Sequence, residues 1–379
     1  MDAPAYVPEH VPVTRILRYA RETMAEMTTR ERMVRMYEHR EADRVPVVDY
    51  PWDATFERWH REGMPTDVDY VDYFGLDKFA DLNADNGPRY PETIVEETDE
   101  WVIRTTDWGA TLREWKHAEG VPGFLDAAIK DPASWAEAKG RMTPTPDRVG
   151  WEWLKSNYSR LREEGAWITA NFWFGFDVLH SWVVGTERLL LAMVEQPEWV
   201  VDMLDHSLDV QIALFELVWE AGYHFDAIAW CDDMGYKHSQ FFSLDMYRQL
   251  VKPAHKRAAD WAHAKGLKVN LHSCGYIAPL VPDLIDAGID MLNPLEVKAG
   301  MDPIHLKAQY GDVLAFQGGL NAVLFDQPDS LWREMRRVVP HMKRNGGYVL
   351  GSDHSVPSST SLETFRRFVT LAKELGSYQ

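Results

Sequence analysis

Short apolar runs alternate with longer amphipathic stretches over most of the chain after about residue 160. The runs are rich in β-branched and aromatic residues, as the buried strands of parallel sheets are. They lie at 166–174, 225–233, 267–274, 289–296, 313–319 and 347–354. Because helical patterns separate these runs, the alternation predicts βαβ units and a parallel sheet.

Several of the intervening helices have recognisable ends. Ser243 is a favourable N-cap for a helix that stops at Gly266. Pro197 fits the first turn of a helix that ends at Gly222, and a shorter helix ends at Gly288. These boundaries support the assignment of the apolar runs as strands.

The first part of the chain is less regular. A helix is predicted over 28–40, a strand over 44–50 and a weaker strand over 76–83. Residues alternate in polarity on both sides of "DWGA" at 107–110, which predicts a β-hairpin over 100–115.

Two early strands and six later ones make eight. We therefore predict an α/β fold, a (β/α)₈ TIM barrel in a single domain over 1–379. An N-terminal helical extension is expected over 1–43 and the hairpin insertion over 96–117. The rival fold, an open doubly wound sheet, lacks its usual support, because no G-x-G-x-x-G turn follows a predicted strand.

Charge and apolar content exclude several classes of protein. The chain has 379 residues and a net charge of -19, which argues against a nucleic-acid partner. It lacks a run of about 18 uncharged apolar residues, so no membrane span is predicted. The N-terminus has no apolar core of the signal-peptide kind, and a cytoplasmic protein is expected. The two cysteines, Cys231 and Cys274, are expected to be reduced.

Tryptophan is abundant, with 16 residues. One interpretation is a large aromatic core. The other is an aromatic-lined pocket for a flat or cationic ligand.

Polar residues follow most of the predicted strands. In a TIM barrel the site lies at the C-terminal ends of the strands, where these residues would meet. They are Asp49, Asp53, Asn171, Cys231, Asp232, Asp233, His272, Cys274, Asn293, Gln317, Asp353 and His354.

His272 and Cys274 stand two residues apart at the end of one predicted strand. Side chains at i and i+2 point to the same side of a strand, so these two could bind a Zn²⁺ ion together. His354 is the best third ligand, with Cys231 as an alternative. The competing interpretation is a buried apolar cysteine beside a hydrogen-bonded histidine.

Asp232 and Asp233 are adjacent carboxylates after another strand. Neighbouring residues in a strand point opposite ways, so one of the two is expected to face the cavity. It could act as a base, orient a histidine or bind a cationic group. A structural aspartate that caps a helix or loop is the alternative.

The chain resembles the uroporphyrinogen decarboxylase superfamily, which also contains corrinoid- and thiol-dependent methyltransferases. The resemblance covers nearly the whole chain. It is carried by 30–47, 72–79, 231–243, 271–296, including "LHSCGYIAPLVPDLIDAG", 310–325 and 346–365. It implies a (β/α)₈ barrel, in agreement with the strand count.

The resemblance is closer to the methyltransferase branch. True decarboxylases open with an R-Q-A-G-R stretch that binds substrate carboxylates, and residues 1–60 contain none. The methyltransferases carry an H-x-C pair, which His272 and Cys274 match. Their third Zn²⁺ ligand is a cysteine near the last strand, and His354 stands at that place here.

The resemblance implies a Zn²⁺-dependent methyltransferase that moves a methyl group between a corrinoid carrier protein and a small acceptor or donor. His272, Cys274 and His354 or Cys231 would hold the ion, and Asp232, Asp233 or Asp353 would orient a ligand or move a proton. Asn171, Asn293, Gln317 and Asp53 are expected to shape the substrate pocket. A homodimer is a family-level expectation.

Two other functions stay open. One is a metal-free decarboxylase acting on a porphyrinogen-like acid, in which Asp49 or Asp53 would accept a hydrogen bond from a pyrrole-type N–H. The other is an accessory subunit that binds a ligand without turnover.

Overall fold

The computed structural model describes residues 26–117, 120 and 122–378. Most of the predicted N-terminal extension, residues 1–25, lies outside the described residues, as do three positions after the predicted hairpin. Within the described part, no helix combines the length and the apolar character needed to cross a membrane.

The strands of the described part are numbered in chain order. They are β1 (Phe79–Leu82), β2 (Ile94–Glu97), β3 (Trp101–Thr105), β4 (Ala110–Trp115), β5 (Gly123–Ala127), β6 (Trp167–Asn171), β7 (Ala227–Cys231), β8 (Gly235–Tyr236), β9 (Ser239–Gln240), β10 (Lys268–His272), β11 (Met291–Asn293), β12 (Ala315–Gln317) and β13 (Tyr348–Val349).

The α-helices are numbered in the same way. They are α1 (Thr29–Tyr37), α2 (Asp53–Arg61), α3 (Tyr70–Phe74), α4 (Pro132–Arg141), α5 (Trp151–Glu163), α6 (Phe176–Val178), α7 (Thr186–Glu195), α8 (Pro197–Glu220), α9 (Leu244–Met246), α10 (Lys252–Ala264), α11 (Val281–Asp286), α12 (Pro303–Tyr310), α13 (Pro328–Met342) and α14 (Leu362–Gly376). Short 3₁₀ and π-helical turns lie at 146–148, 179–183, 247–251, 278–280, 297–299 and 322–326.

Seven strands form one parallel sheet in the order β1, β6, β7, β10, β11, β12, β13. Each lies within a predicted apolar run, and helices connect them, so the predicted α/β barrel is confirmed. The sheet interior is continuous with a large apolar core in which the long helices bury one face. The parallel order places the C-terminal ends of all seven strands at one end of the sheet.

The predicted strand at 44–50 takes the position of the eighth barrel strand, but it forms no regular ladder of hydrogen bonds. Val48 donates its N–H to Leu350 O at 3.0 Å, and Leu350 donates to Pro46 O at 2.8 Å. On the other side, Asp77 donates its N–H to Val47 O at 3.1 Å. This segment therefore closes the barrel between β13 and β1. Pro46 has no N–H to donate, which limits the pairing to an isolated bridge.

Helix α1 covers the end of the barrel where the strands begin. Met33, Met36 and Tyr37 are buried in one cluster with Trp167 and Met291, which lie at or near the start of their strands. The Tyr37 and Trp167 rings are stacked with centroids 5.5 Å apart. This apolar floor seals one end of the barrel and leaves the other end for a site.

A four-stranded antiparallel sheet, in the order β2, β3, β4, β5, interrupts the barrel after β1. The predicted hairpin is present as β3 and β4, with Trp101 opposite Trp115. The flanking strands β2 and β5 were not predicted. Every residue of β2 is exposed, so this strand carries no alternation of buried and exposed positions that a pattern could reveal.

The Asp77 carboxylate joins helix α1, the closing segment and β1. It accepts hydrogen bonds from Arg32 Nη1 at 3.0 Å, Arg44 Nη1 at 2.6 Å and Val47 N at 2.7 Å. The Asp77 side chain has no exposed surface, and that of Arg32 is 3% exposed. Removing the carboxylate would leave a buried guanidinium without this counter-ion.

We expect the substitution Asp77→Ala to lower the free energy of unfolding by about 3 to 5 kcal/mol, because it breaks a buried ion pair on one side only. Urea denaturation measures the change. The exposed Asp67→Ala should cost less than about 0.5 kcal/mol in the same assay. Equal small effects of both substitutions would show that the Asp77 pairs do not hold the barrel closed.

Candidate metal centre

The centre is built where β7 and β10 end side by side. The two strands pair in parallel, and Cys231 on β7 lies opposite His272 on β10. His272 in turn lies opposite Asn293 on β11. Asp232 donates its backbone N–H to His272 O at 2.8 Å, which continues the pairing past the end of β7. Three strand ends thus bring a thiol, an imidazole and an amide to one place.

Four side chains of the centre carry metal-binding atoms. The donor atoms of Cys231, Asp233 and His272 all lie within 4.8 Å of one another, the one such group of three in the described part of the chain. Cys231 Sγ is 3.9 Å and His272 Nε2 is 3.7 Å from Asp233 Oδ1. Cys274 Sγ lies 3.3 Å from His272 Nε2. The predicted H-x-C pair therefore meets two further donors.

Hydrogen bonds fix the orientation of the His272 ring. Nδ1 lies 2.7 Å from Asn293 Oδ1, while Asn293 Nδ2 donates to Asn270 Oδ1 at 2.7 Å. An amide oxygen can only accept, so this contact assigns the ring hydrogen to Nδ1. The Nε2 lone pair is then free to face the other donors of the centre.

The turn after β10 is held tightly against the chain after β7. Cys274 donates its N–H to Asp233 Oδ1 at 2.7 Å, and Gly275 donates to Glu296 Oε2 at 2.6 Å. A Cβ on Gly275 would lie 2.2 Å from Gly235 C, and its φ is +79°, so this position needs glycine. Glu296 ends a predicted apolar run, and the sequence pattern assigns this strand-end residue no specific role in the site.

The surroundings of the donor atoms disfavour negative charge on the thiols and on Asp233. Burial raises the pKa of both the Cys231 and the Cys274 thiols far above the ordinary value, and the neighbouring Asp233 carboxylate adds to both shifts. Burial also raises the pKa of Asp233, against the effect of His272. A divalent cation at this point would offset the repulsion and favour the thiolates.

Asp232 points away from the centre. It is fully buried and accepts a hydrogen bond from Asp177 N at 2.7 Å. Its other carboxylate oxygen lies 2.7 Å from His255 Nε2 and pairs with that ring. Tyr247 Oη lies 3.0 Å from His255 Nδ1, which extends this buried chain. The structure thus places Asp233 at the centre and gives Asp232 a supporting position behind the strand.

The loop after β13 contributes less to the centre than predicted. Asp353 is fully buried and accepts hydrogen bonds from Val297 N and Ala322 N, each at 2.8 Å. His354 is exposed, lies against Trp52 with ring centroids 5.9 Å apart, and is not in the group of three donors. Asp233 is the residue that completes that group of three donors.

A cavity of about 330 Å³ runs from the centre into the barrel. Cys231 and His272 line it at the strand ends, and Tyr37 and Trp167 line it at the apolar floor. The predicted pocket residues Asn171, Asn293 and Gln317 also line the cavity. Asp53 is instead exposed in the first turn of α2 and is not among the lining residues.

Comparison with known proteins agrees with this architecture. The sequence pattern of uroporphyrinogen decarboxylase (URO-D) matches residues 176–375, more than half of the chain. The chain belongs to the URO-D family. The resemblance noted in the sequence is thereby confirmed, and the matched region contains all four donors of the centre.

Two proteins that are similar to this chain come from Methanosarcina mazei. A methylated-thiol–coenzyme M methyltransferase is 24% identical over 195 residues, which are 51% of this chain and 49% of the relative. The chain thus matches about half the length of that relative. A methyltransferase of known structure superposes with a TM-score of 0.61 at 18% identity, covering 92% of this chain and 99% of the other. This likeness shows a shared fold.

Asp49 lies on the closing segment of this URO-D barrel and is 4% exposed. Ser352 Oγ is 2.5 Å from Asp49 Oδ1 and 2.5 Å from the His354 carbonyl oxygen. The hydroxyl has one hydrogen and a carbonyl can only accept, so both contacts are satisfied together when Asp49 is protonated. Burial raises the pKa of Asp49 to about 7, in agreement with this arrangement.

The raised pKa means that the folded protein holds this proton more tightly than the unfolded chain. The contribution of Asp49 to the free energy of unfolding therefore falls as the pH rises from about 4 to about 7. Asparagine resembles the protonated carboxyl but does not titrate, so the free energy of unfolding of Asp49→Asn does not fall with pH for this reason. We expect Asp49→Asn to gain about 2 to 3 kcal/mol relative to the wild type between pH 5 and pH 8 in urea denaturation.

The exposed Asp53→Asn is the control and should follow the wild type at each pH. A constant difference between Asp49→Asn and the wild type over this range would mean that Asp49 stays ionised in the folded protein.

Proposed function

We propose that this URO-D family protein is a zinc-dependent methyltransferase, which moves a methyl group between a corrinoid on a partner protein and a small substrate. The observation that carries the proposal is the group of sulfur, nitrogen and oxygen donors at the mouth of a cavity. The M. mazei relative, named for its action on methylated thiols, supports transfer that involves sulfur.

The spacing of the donors suits a tetrahedral metal ion. Zn–S bonds of about 2.3 Å and Zn–N or Zn–O bonds of about 2.0 to 2.2 Å put neighbouring ligand atoms about 3.3 to 3.6 Å apart. In the group of three, Asp233 Oδ1 lies 3.7 Å from His272 Nε2 and 3.9 Å from Cys231 Sγ, and all the donor atoms lie within 4.8 Å of one another. Cys274 Sγ lies 3.3 Å from His272 Nε2. Small side-chain shifts are enough to bring them to ligand distance, and thiolate with imidazole is a preferred zinc donor set.

Cys231, Asp233 and His272 would hold the ion, with Cys274 as a further ligand candidate beside His272. When bound, zinc would supply a Lewis acid that takes up a substrate heteroatom, such as a thiol sulfur, and favours loss of its proton. Asn293 orients His272 through Nδ1, and the apolar floor keeps the inner end of the cavity closed. The chain itself thus positions the ligands and shields the reacting group.

The decarboxylase alternative has weaker support. A porphyrinogen-like substrate with many carboxylates needs a cationic pocket. Of the described residues that line the cavity, none is lysine or arginine. The absence of positive side chains from this lining favours the methyltransferase.

Elemental analysis tests the metal. We expect about one zinc per chain in the purified wild type and its loss in Cys231→Ser and His272→Ala, because each removes a ligand. His354→Ala should retain zinc and serves as the matched histidine control. Circular dichroism of each variant checks that the fold is kept.

Loss of zinc in His354→Ala together with its retention in Cys231→Ser would contradict this ligand set. Active wild-type protein without zinc would contradict the metal itself.

Methyl transfer is tested with methylcobalamin and a small thiol. The carbon–cobalt bond would break with its electron pair on cobalt, the carbon–sulfur bond would form and the thiol proton would leave to solvent. We expect loss of the methylcobalamin absorbance, thioether formation by mass spectrometry, and a rate at least about 100-fold lower in His272→Ala than in His354→Ala. Carbon dioxide release from a porphyrinogen, without methyl transfer, would support the lyase.

A further inference from the structure

The cavity contains a carboxylate that the centre does not use. Asp81 on β1 lines the cavity together with Phe79 and Asn83, since alternate residues of a strand share one face. Asp81 lies opposite Thr169 of β6 in the parallel register. Asp81 is the one acidic residue among the described residues that line the cavity.

No positive side chain neutralises Asp81. Asp81 is accessible from the cavity, and in the described part of the chain no lysine, arginine or histidine nitrogen lies within 4.0 Å of its carboxylate. The buried Asp77 and Asp226, by contrast, pair with arginines. Asn171 Nδ2 donates to the neighbouring Asn83 Oδ1 at 3.3 Å, and desolvation within the cavity raises the pKa of Asp81. An incoming cation would remove this penalty.

Aromatic rings accompany the carboxylate. Tyr50 lines the cavity, and the charge of Asp81 contributes to the raised pKa of its hydroxyl, so the two groups are near each other. Phe79 lies two residues before Asp81 on the same face of β1. Aromatic faces attract cations with alkyl substituents, and such rings beside a carboxylate form a typical ammonium site.

We propose that the barrel cavity binds a small alkylated ammonium ion, with its positive charge at Asp81 and its alkyl groups against Tyr50 and Phe79. Resting on the proposed function, we infer that such an ammonium compound is the substrate whose reacting atom reaches the Cys231–His272 end of the same cavity. A volume of about 330 Å³ holds a molecule of this size and not a large macrocycle. Anionic substrates would be repelled by Asp81.

Choline and 3,3-dimethyl-1-butanol test the proposal, because they have the same shape and differ in the positive charge. Isothermal titration calorimetry on the full chain should show choline binding at least about tenfold more tightly than the neutral alcohol. Asp81→Asn keeps the size of the side chain and removes its charge. The ratio of the affinity for choline to that for the neutral alcohol should therefore fall close to one. Asp53→Asn, which removes an exposed carboxylate outside the cavity, should leave the preference unchanged.

Equal affinity of the wild type for both compounds, no detectable binding of choline, or an unchanged preference in Asp81→Asn would overturn the ammonium site. The zinc content is measured on the same samples and separates the two proposals. Choline binding by wild-type protein that contains no zinc would support the ammonium site and contradict the proposed zinc-dependent methyl transfer. Zinc-dependent thiol methylation without a choline preference would overturn the ammonium site alone.

Discussion

The parallel pairing of β7 with β10 determines where every group of the candidate centre lies. Because Cys231 stands opposite His272, their side chains point to the same face of the sheet and into the barrel. A slip of β7 by one residue would reverse the facing of its side chains and would exchange Asp233 for Asp232 at the centre. The bond from Asp232 N to His272 O and the buried Asp232–His255–Tyr247 chain both oppose such a slip.

Two adjacent aspartates consequently have opposite roles. Asp232 is enclosed by the polypeptide, and a Cβ at Gly175 would lie 2.8 Å from its carboxyl carbon, so this carboxylate fills its space completely. Asp233 lies in the group of three donors at the centre and accepts the Cys274 N–H at 2.7 Å. Because side chains alternate along a strand, Asp232 anchors the chain behind the sheet while Asp233 faces the donors, and the centre depends on both residues.

The barrel strands and much of the centre could be predicted from the sequence, and the physical reason differs between the two. Apolar runs between helices reveal buried parallel strands, and the H-x-C pair reveals a shared face. The position of His354 was beyond such reasoning, because it depends on how the loop after β13 bonds to Asp49 through Ser352. The exposed strand β2 left no periodic signal. The i, i+2 spacing of Cys231 and Asp233 already implies a shared face, and the register of β7 with β10 adds that this face meets the histidine of the H-x-C pair.

The two ends of the cavity make separate electrostatic demands. The proposed Zn²⁺ ion, held by one thiolate, one carboxylate and one neutral imidazole, would form a site without net charge and would not neutralise the cavity interior. Asp81 stays an isolated carboxylate on β1, and no cation lies within 4.0 Å of it in the described part of the chain. In our proposal this remaining charge would favour a positive ligand, whatever atom that ligand presents to the metal. The proposed specificity and the proposed chemistry would then depend on different strands of one barrel.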